Sequence, residues 1–185
     1  MIPWANTQRR YGAIAIALHW GMALLLVLLA ALGLFMVRLP DAGYDTAKVT
    51  LILVHKALGM LALLLMLLRL AWRLAGALPR LEPGLAEWEQ VAARFVQLMF
   101  YALMFALPLT GWLMSSAGGY PVPLFGWFNL PDLIGTDEWL FRVLLEAHHW
   151  LAWMFLFFLV LHGAAALRHH FALRDGTLRR MLSGR

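Results

Sequence analysis

Residues 141–167 read FRVLLEAHHWLAWMFLFFLVLHGAAAL, with charge only at Arg142 and Glu146, both near one end. A bilayer core of about 30 Å is crossed by about 20 mostly apolar residues in a helix. This stretch is long enough to span, and it is apolar on every side, as a helix facing lipid must be. Tyr11–Val37, Val49–Leu74 and Val91–Ser115 meet the same criterion, and no other segment is long enough. The sequence therefore predicts an all-α fold, an integral membrane four-helix bundle forming a single domain over residues 1–185.

Composition agrees with a membrane solvent. The 185 residues are 63% hydrophobic and 14% charged, with a mean hydropathy of +0.74. That departs too far from soluble usage for one aqueous core. Arg9 and Arg10 precede an apolar run as in a signal peptide. The run from Gly12 to Val37 is too long for that and lacks a small-residue cleavage site, so it is read as a retained first span. Pro79, Pro83 and Gly84 mark the second connection. The third, between Ser116 and Leu140, mixes Gly118, Gly119, Pro121, Pro123, Gly126 and Pro131 with Tyr120, Phe125, Trp127 and Phe128, which predicts a segment folded at the interface.

The net charge of +5 is distributed as a topology signal rather than a nucleic-acid footprint. Arg9, Arg10, Arg69, Arg73, Arg80, Arg94, Arg168, Arg174, Arg179, Arg180 and Arg185 fall on one side of the spans. Arg38, Lys48 and Arg142 fall on the other, with Asp41, Asp45, Asp132, Asp137, Glu138 and Glu146. Positively charged loops stay cytoplasmic, so both termini are expected in the cytoplasm of a bacterial cell, with the protein multi-pass in its inner membrane.

There are no cysteines. Disulfides, iron–sulfur clusters and thiol chemistry are excluded, and histidine is left as the strong ligand type for a metal or haem. Ionisable residues inside spans are functional candidates by default, which selects His19, His55, His148, His149 and His162. His19 and His162 lie shallow on the arginine-rich side, and His55 and His148 lie shallow on the other.

The fourth span is the most informative. His148 and His162 are fourteen residues apart, which at about 100° and 1.5 Å per residue is nearly four full turns and about 21 Å of rise. They share a face, while His149 points about 100° away. One helix giving a ligand to each of two stacked haems, with His19 and His55 supplying the others, accounts for this spacing. Ala15, Ala23, Gly59, Ala152 and Gly163 flank these positions and suit close approach of a porphyrin, though small residues also serve plain helix packing. Zinc is the alternative at His55 and His148, with Glu146 and His149 as the remaining donors. Histidines hydrogen-bonded to neighbouring helices are the structural one.

At Tyr11–Trp20 with its His19-Trp20 pair, at His55-Lys56-Ala57-Leu58-Gly59, at YALMFALPLTGWLMSS (Tyr101–Ser116) and at HGAAALRHHFALRDGTLRRM (His162–Met181), the chain resembles the bacterial cytochrome b561 family. These are four-helix dihaem membrane proteins related to cytochrome b subunits of some hydrogenases and formate dehydrogenases. The resemblance covers nearly the whole chain. It implies two haem b groups, with His19 and His162 as axial iron ligands of the cytoplasmic one and His55 and His148 of the periplasmic one.

With both axial positions filled by imidazole, the implied chemistry is one-electron transfer. The family resemblance implies exchange with ubiquinone and, in at least one member, oxidation of superoxide. Lys56 is the candidate catalytic residue, attracting superoxide together with Arg38, Lys48 and Arg142. Its structural alternatives are snorkelling or pairing with a haem propionate. Quinone is expected near Arg73, Arg168, His169 and His170, where a titratable imidazole can deliver protons. Trp20, Phe105 and Trp112 are aromatics near the electron path. Rival readings are an anchor subunit relaying electrons between quinone and a partner dehydrogenase or hydrogenase, a haem-free transporter or assembly protein, and a cytochrome fed by a small redox protein. Beyond such a redox protein, the partners expected are membrane lipid, quinone and superoxide, and no nucleic acid.

Overall fold

The computed structural model describes residues 2–39, 46–80 and 84–183. Asp41, Asp45, Pro83 and Arg185, used above as charge and turn signals, lie outside the described residues. Four long helices account for most of the chain: α1 (Ala13–Met36), α2 (Thr46–Ala75), α3 (Glu87–Ala117) and α4 (Glu138–Arg168). All four are long and apolar enough to cross a membrane. Between α3 and α4 lies an antiparallel hairpin, β1 (Val122–Leu124) and β2 (Phe128–Leu130), and after α4 come a π-helical turn (His169–Leu173) and α5 (Thr177–Ser183).

The predicted spans agree with these helices to within a turn, and the added residues have local causes. Glu87 and Glu89 occupy the first turn of α3, where the helix dipole favours carboxylates, and Glu89 accepts the Ala86 N–H at 3.1 Å. Asp137 caps α4 by accepting the Leu140 N–H at 2.9 Å. Pro108 lies inside α3, which continues past it. Proline removes one backbone donor there, a loss that membrane helices tolerate.

Few side chains are fully buried, among them Met22, Met66, Leu103 and Phe155, while Leu24, Leu28, Phe157 and Val160 are among many large apolar residues left exposed. In water such surface would drive association. In a bilayer acyl chains cover it, and helix packing relies on contact and polar bonds instead.

The residues pack as two compact units, and each contains a part of all four spans. The first comprises Met1–Met22, Leu65–Ala102 and Phe155–Arg185. Here Phe95 packs on Phe158 and Phe100 on Phe155, joining α3 to α4 with ring centres 6.0 and 5.7 Å apart. The ends of the chain are tied in: Trp20 Nε1 donates to the Met181 carbonyl at 2.7 Å, and the Arg180 guanidinium donates to the carbonyls of Arg80 and Arg9 at 2.9 and 3.3 Å. Gly12 is required where the N-terminal segment folds back. A Cβ there would lie 2.4 Å from the Ala5 carbonyl carbon, a distance no side chain tolerates.

The second unit comprises Ala23–Leu64 and Leu103–Met154. Its long connection is stitched to α3: Ser116 Oγ accepts the Leu133 N–H at 3.1 Å, Trp112 Nε1 donates to Pro131 at 3.0 Å, and Asp137 N donates to Ala117 at 2.9 Å. The hairpin turns through Phe125 (φ 52°) and Gly126 (φ 80°), the left-handed backbone that tight hairpin turns demand. Arg142 pairs with Glu138 one turn earlier on α4. The arginine-rich side inferred from the loops corresponds to the first unit, which holds Arg9, Arg10, Arg69, Arg73, Arg80, Arg94, Arg168, Arg174, Arg179 and Arg180.

Candidate haem sites

The intramembrane histidines come together two at a time. In the first unit, His19 of α1 faces His162 of α4 with ring centres 6.2 Å apart and planes crossed by 64°. In the second, His55 of α2 faces His148 of α4 at 6.4 Å and 75°. An imidazole nitrogen sits about 2 Å from a first-row metal ion, with the ring centre about 1 Å further back, so two rings across one metal stand about 6 Å between centres. Both pairs have that separation. Among the described residues no three His, Cys, Asp or Glu side chains converge, whereas a zinc site takes at least three protein ligands.

The second-unit pair is closely fitted. The Thr110 hydroxyl lies 2.8 Å from the Ala106 carbonyl and 2.9 Å from that of Leu107, so its proton is committed to the backbone. Its oxygen, 3.1 Å from His148 Nδ1, then accepts the ring N–H. These contacts place the proton on Nδ1 and leave the Nε2 lone pair for a metal, the arrangement that orients metal-binding histidines generally. Glycines allow close approach from two helices: a Cβ on Gly111 would lie 3.4 Å from His148 Cε1, and one on Gly33 would lie 3.5 Å from His55 Cε1. His55 Nδ1 is buried and has no hydrogen-bond partner among the described residues, an uncommon condition for a buried polar atom.

His149, one residue along, is exposed, and its Nε2 accepts the Trp153 indole N–H at 3.1 Å. Trp150 and Trp153 rings flank it. The structure thus brings His148, not His149, to His55.

The first-unit pair has a different neighbour. Arg69 of α2 places Nη1 and Nη2 each 3.2 Å from His19 Nδ1. Phe100 closes one side, its ring centre 5.4 Å from that of His162. Arg73, a turn further on, donates to Gln97 Oε1 at 3.2 Å and lies over the Tyr101 ring.

Lys56 donates through Nζ to the Pro121 carbonyl at 3.1 Å and lies 5.6 Å from the centre of the Tyr120 ring. It fastens the hairpin connection to α2. Lys48 donates to the Leu39 carbonyl at 3.0 Å, and Arg38 is exposed. In the first unit Arg168 binds Glu89 at 2.7 Å, and His169 Nδ1 meets Asp175 Oδ2 at 2.5 Å. Burial pushes the Asp175 carboxyl up, but hydrogen bonds from His169 and Thr177 outweigh this and hold it below the usual carboxylate range. Of the aromatics, Trp20 and Trp112 are bonded to Met181 and Pro131, and Phe105 is exposed.

Two residues of these sites were missed as functional. Thr110 is a hydroxyl in an otherwise apolar run, and Arg69 is an intramembrane cation that its position alone marks as a candidate.

Residues 10–184 match the family model described as prokaryotic cytochrome b561. The chain belongs to that family. Among curated relatives, cytochrome b561 homolog 2 of Escherichia coli (strain K12) is 37% identical over 181 residues, 97% of this chain and 94% of the relative. The probable superoxide oxidase CybB of Yersinia pestis is 29% identical, covering 95% of this chain and 97% of the relative. Cytochrome b561 homolog 1 of Escherichia coli (strain K12) is 28% identical over 71% of this chain and 74% of the relative. As a cytochrome b561, the protein is a bacterial multi-pass membrane protein that binds haem b and transfers electrons.

Proposed function

We propose that the protein binds two haem b groups, one between His19 and His162 and one between His55 and His148. In this reading it carries electrons from superoxide on the second-unit side to ubiquinone on the first-unit side. The observation that carries this is the pair of opposed imidazoles in each unit, at 6.2 and 6.4 Å between ring centres. A haem held by two imidazoles supplies reversible one-electron chemistry without an open iron position.

The chain's residues have separate tasks. His148 is oriented by the Thr110 hydroxyl, and Lys56 fastens the hairpin connection to α2. Lys56, Arg38 and Lys48 give the second-unit surface cations that attract an anion such as superoxide. Lys56 is the residue assigned to that task. Ubiquinone takes two electrons and two protons, so two superoxides become two dioxygen molecules for each quinol formed. His169, bonded to Asp175, and His170 supply titratable groups on the quinone side. The arginine bias supports a cytoplasmic position for that side, the orientation expected of an inner-membrane protein.

The reading is tested in proteoliposomes containing ubiquinone and the purified protein, with superoxide generated outside. Quinol formation at one quinol per two superoxides, lost in His148→Ala, is expected. Haem reduction by quinol with no response to superoxide would replace it with a relay subunit feeding a partner enzyme.

Thr110→Val keeps the shape of the side chain and removes the acceptor for His148 Nδ1–H. Loss of such outer partners costs about 10–100-fold in metal affinity. About tenfold faster haem loss to excess apomyoglobin is expected, from one haem of the two.

A further inference from the structure

We infer that Arg69 is a positioning residue that raises the reduction potential of the first-unit haem above that of the second, making the His19–His162 site the electron-accepting end. This rests on the two-haem reading above. The supporting observation is an asymmetry between the pairs. His148 is backed by a neutral hydroxyl. His19 is backed by a guanidinium at 3.2 Å through both terminal nitrogens, and His162 stands opposite with its ring centre 6.2 Å from that of His19.

Other charged groups do not reverse this contrast. Lys56 keeps its charge in the second unit, but its ammonium lies against the Pro121 carbonyl and the Tyr120 ring rather than against either imidazole. In the first unit the nearby carboxylate Glu89 is paired with Arg168, and Arg73 adds a second cation one turn from Arg69, bonded to neutral Gln97. Arginine remains charged at any accessible pH, so its field is a fixed property of the site.

The sign follows from charge alone. Reduction adds one electron to the site, and a fixed cation a few ångströms away favours the reduced form. Guanidinium only donates hydrogen bonds, so it holds His19 Nδ1 as an acceptor. An imidazole ligating through Nε2 carries its proton on Nδ1, and Arg69 then has to exchange that nitrogen for an acceptor. The carboxylates of a porphyrin rim suit a guanidinium fork. With either partner, replacing Arg69 by a neutral side chain removes one positive charge and moves the potential down. A unit charge at this range in a partly polarisable medium changes the ratio of reduced to oxidised haem about tenfold at fixed potential, or about 59 mV for one electron.

The experiment is an optical redox titration of the purified, haem-loaded protein, with haem counted by pyridine haemochrome, for wild type, Arg69→Gln, Arg69→Lys and His162→Ala. His162→Ala identifies the wave of the first-unit haem by removing it. In Arg69→Gln that wave is expected to move about tenfold toward the oxidised form, the other wave staying within twofold. In Arg69→Lys, which retains the charge, it should stay within about threefold of wild type. If Arg69→Gln loads less haem, Arg69→Lys must restore two haems per chain and meet the same limit. An unmoved wave, a shift to higher potential, equal shifts of both waves, or a Lys variant displaced as far as Gln overturns the proposal alone. Fewer than two haems in the wild type overturns the two-haem reading and this proposal with it.

Discussion

Purified in mild detergent, His148→Ala retains one haem b per chain where the wild type holds two, and His149→Ala retains both. The two residues are adjacent, similarly polar and equally able to bind iron in isolation, so only their directions on α4 separate them. His148 stands 6.4 Å from His55 between ring centres and is held by Thr110. His149 lies exposed with Trp153 donating to its Nε2, which ties up the nitrogen a metal would need. Removing one axial imidazole leaves a haem with a single protein ligand, and the loss should be close to complete for that site. The surviving haem should keep its spectrum and midpoint, because His19 and His162 belong to the other unit. Pyridine haemochrome counting with reduced-minus-oxidised spectra measures both. Two haems in His148→Ala and one in His149→Ala would shift the ligand register on α4 by one residue.

The four spans were legible because a lipid solvent demands long apolar helices, and hydropathy records that demand directly. The histidine pairs were legible for a related reason. An imidazole among leucines is conspicuous, and the fourteen-residue interval between His148 and His162 fixes their common face through helix geometry. What surrounds the pairs was harder to read. Thr110 matters because its hydroxyl proton is committed to the Ala106 and Leu107 carbonyls and its oxygen is left for His148, which no linear pattern displays. Arg69 was absorbed into the tally of topology charges, since a cation near a span end serves that purpose as well. The hairpin at Val122–Leu130 was foreseen only as a folded connection. Its turn places Phe125 at positive φ, a conformation that sequence preference argues against and that the Ser116, Trp112 and Lys56 bonds around it make tolerable.

Gly111→Val is expected to leave one haem per chain without unfolding the protein, and Gly111→Ala is expected to leave both. Apart from its own helix, the atoms of the described residues within 4 Å of a Cβ at this position belong to the His148 ring: Cε1 at 3.4 Å and Nδ1 at 3.7 Å. Alanine therefore meets the imidazole at the edge of ordinary contact. It also replaces a glycine in the middle of a helix, which stabilises by roughly 0.5–1 kcal/mol. Valine adds two γ carbons that have to be accommodated against the ring, and overfilling a fitted site costs about 1–3 kcal/mol. At about 1.4 kcal/mol per factor of ten, binding of that haem weakens by roughly 5- to 150-fold. Gly33, whose Cβ would meet His55 Cε1 at 3.5 Å, should respond in the same way to Gly33→Val. The decisive comparison is between haem content and thermal unfolding followed by circular dichroism. A glycine kept merely for helix packing would lower the unfolding temperature of both haem-loaded and haem-free protein when replaced by valine. A glycine kept for the cofactor lowers haem content while the haem-free protein melts at or above the wild-type temperature, and this second pattern is the one the contacts of Gly111 predict.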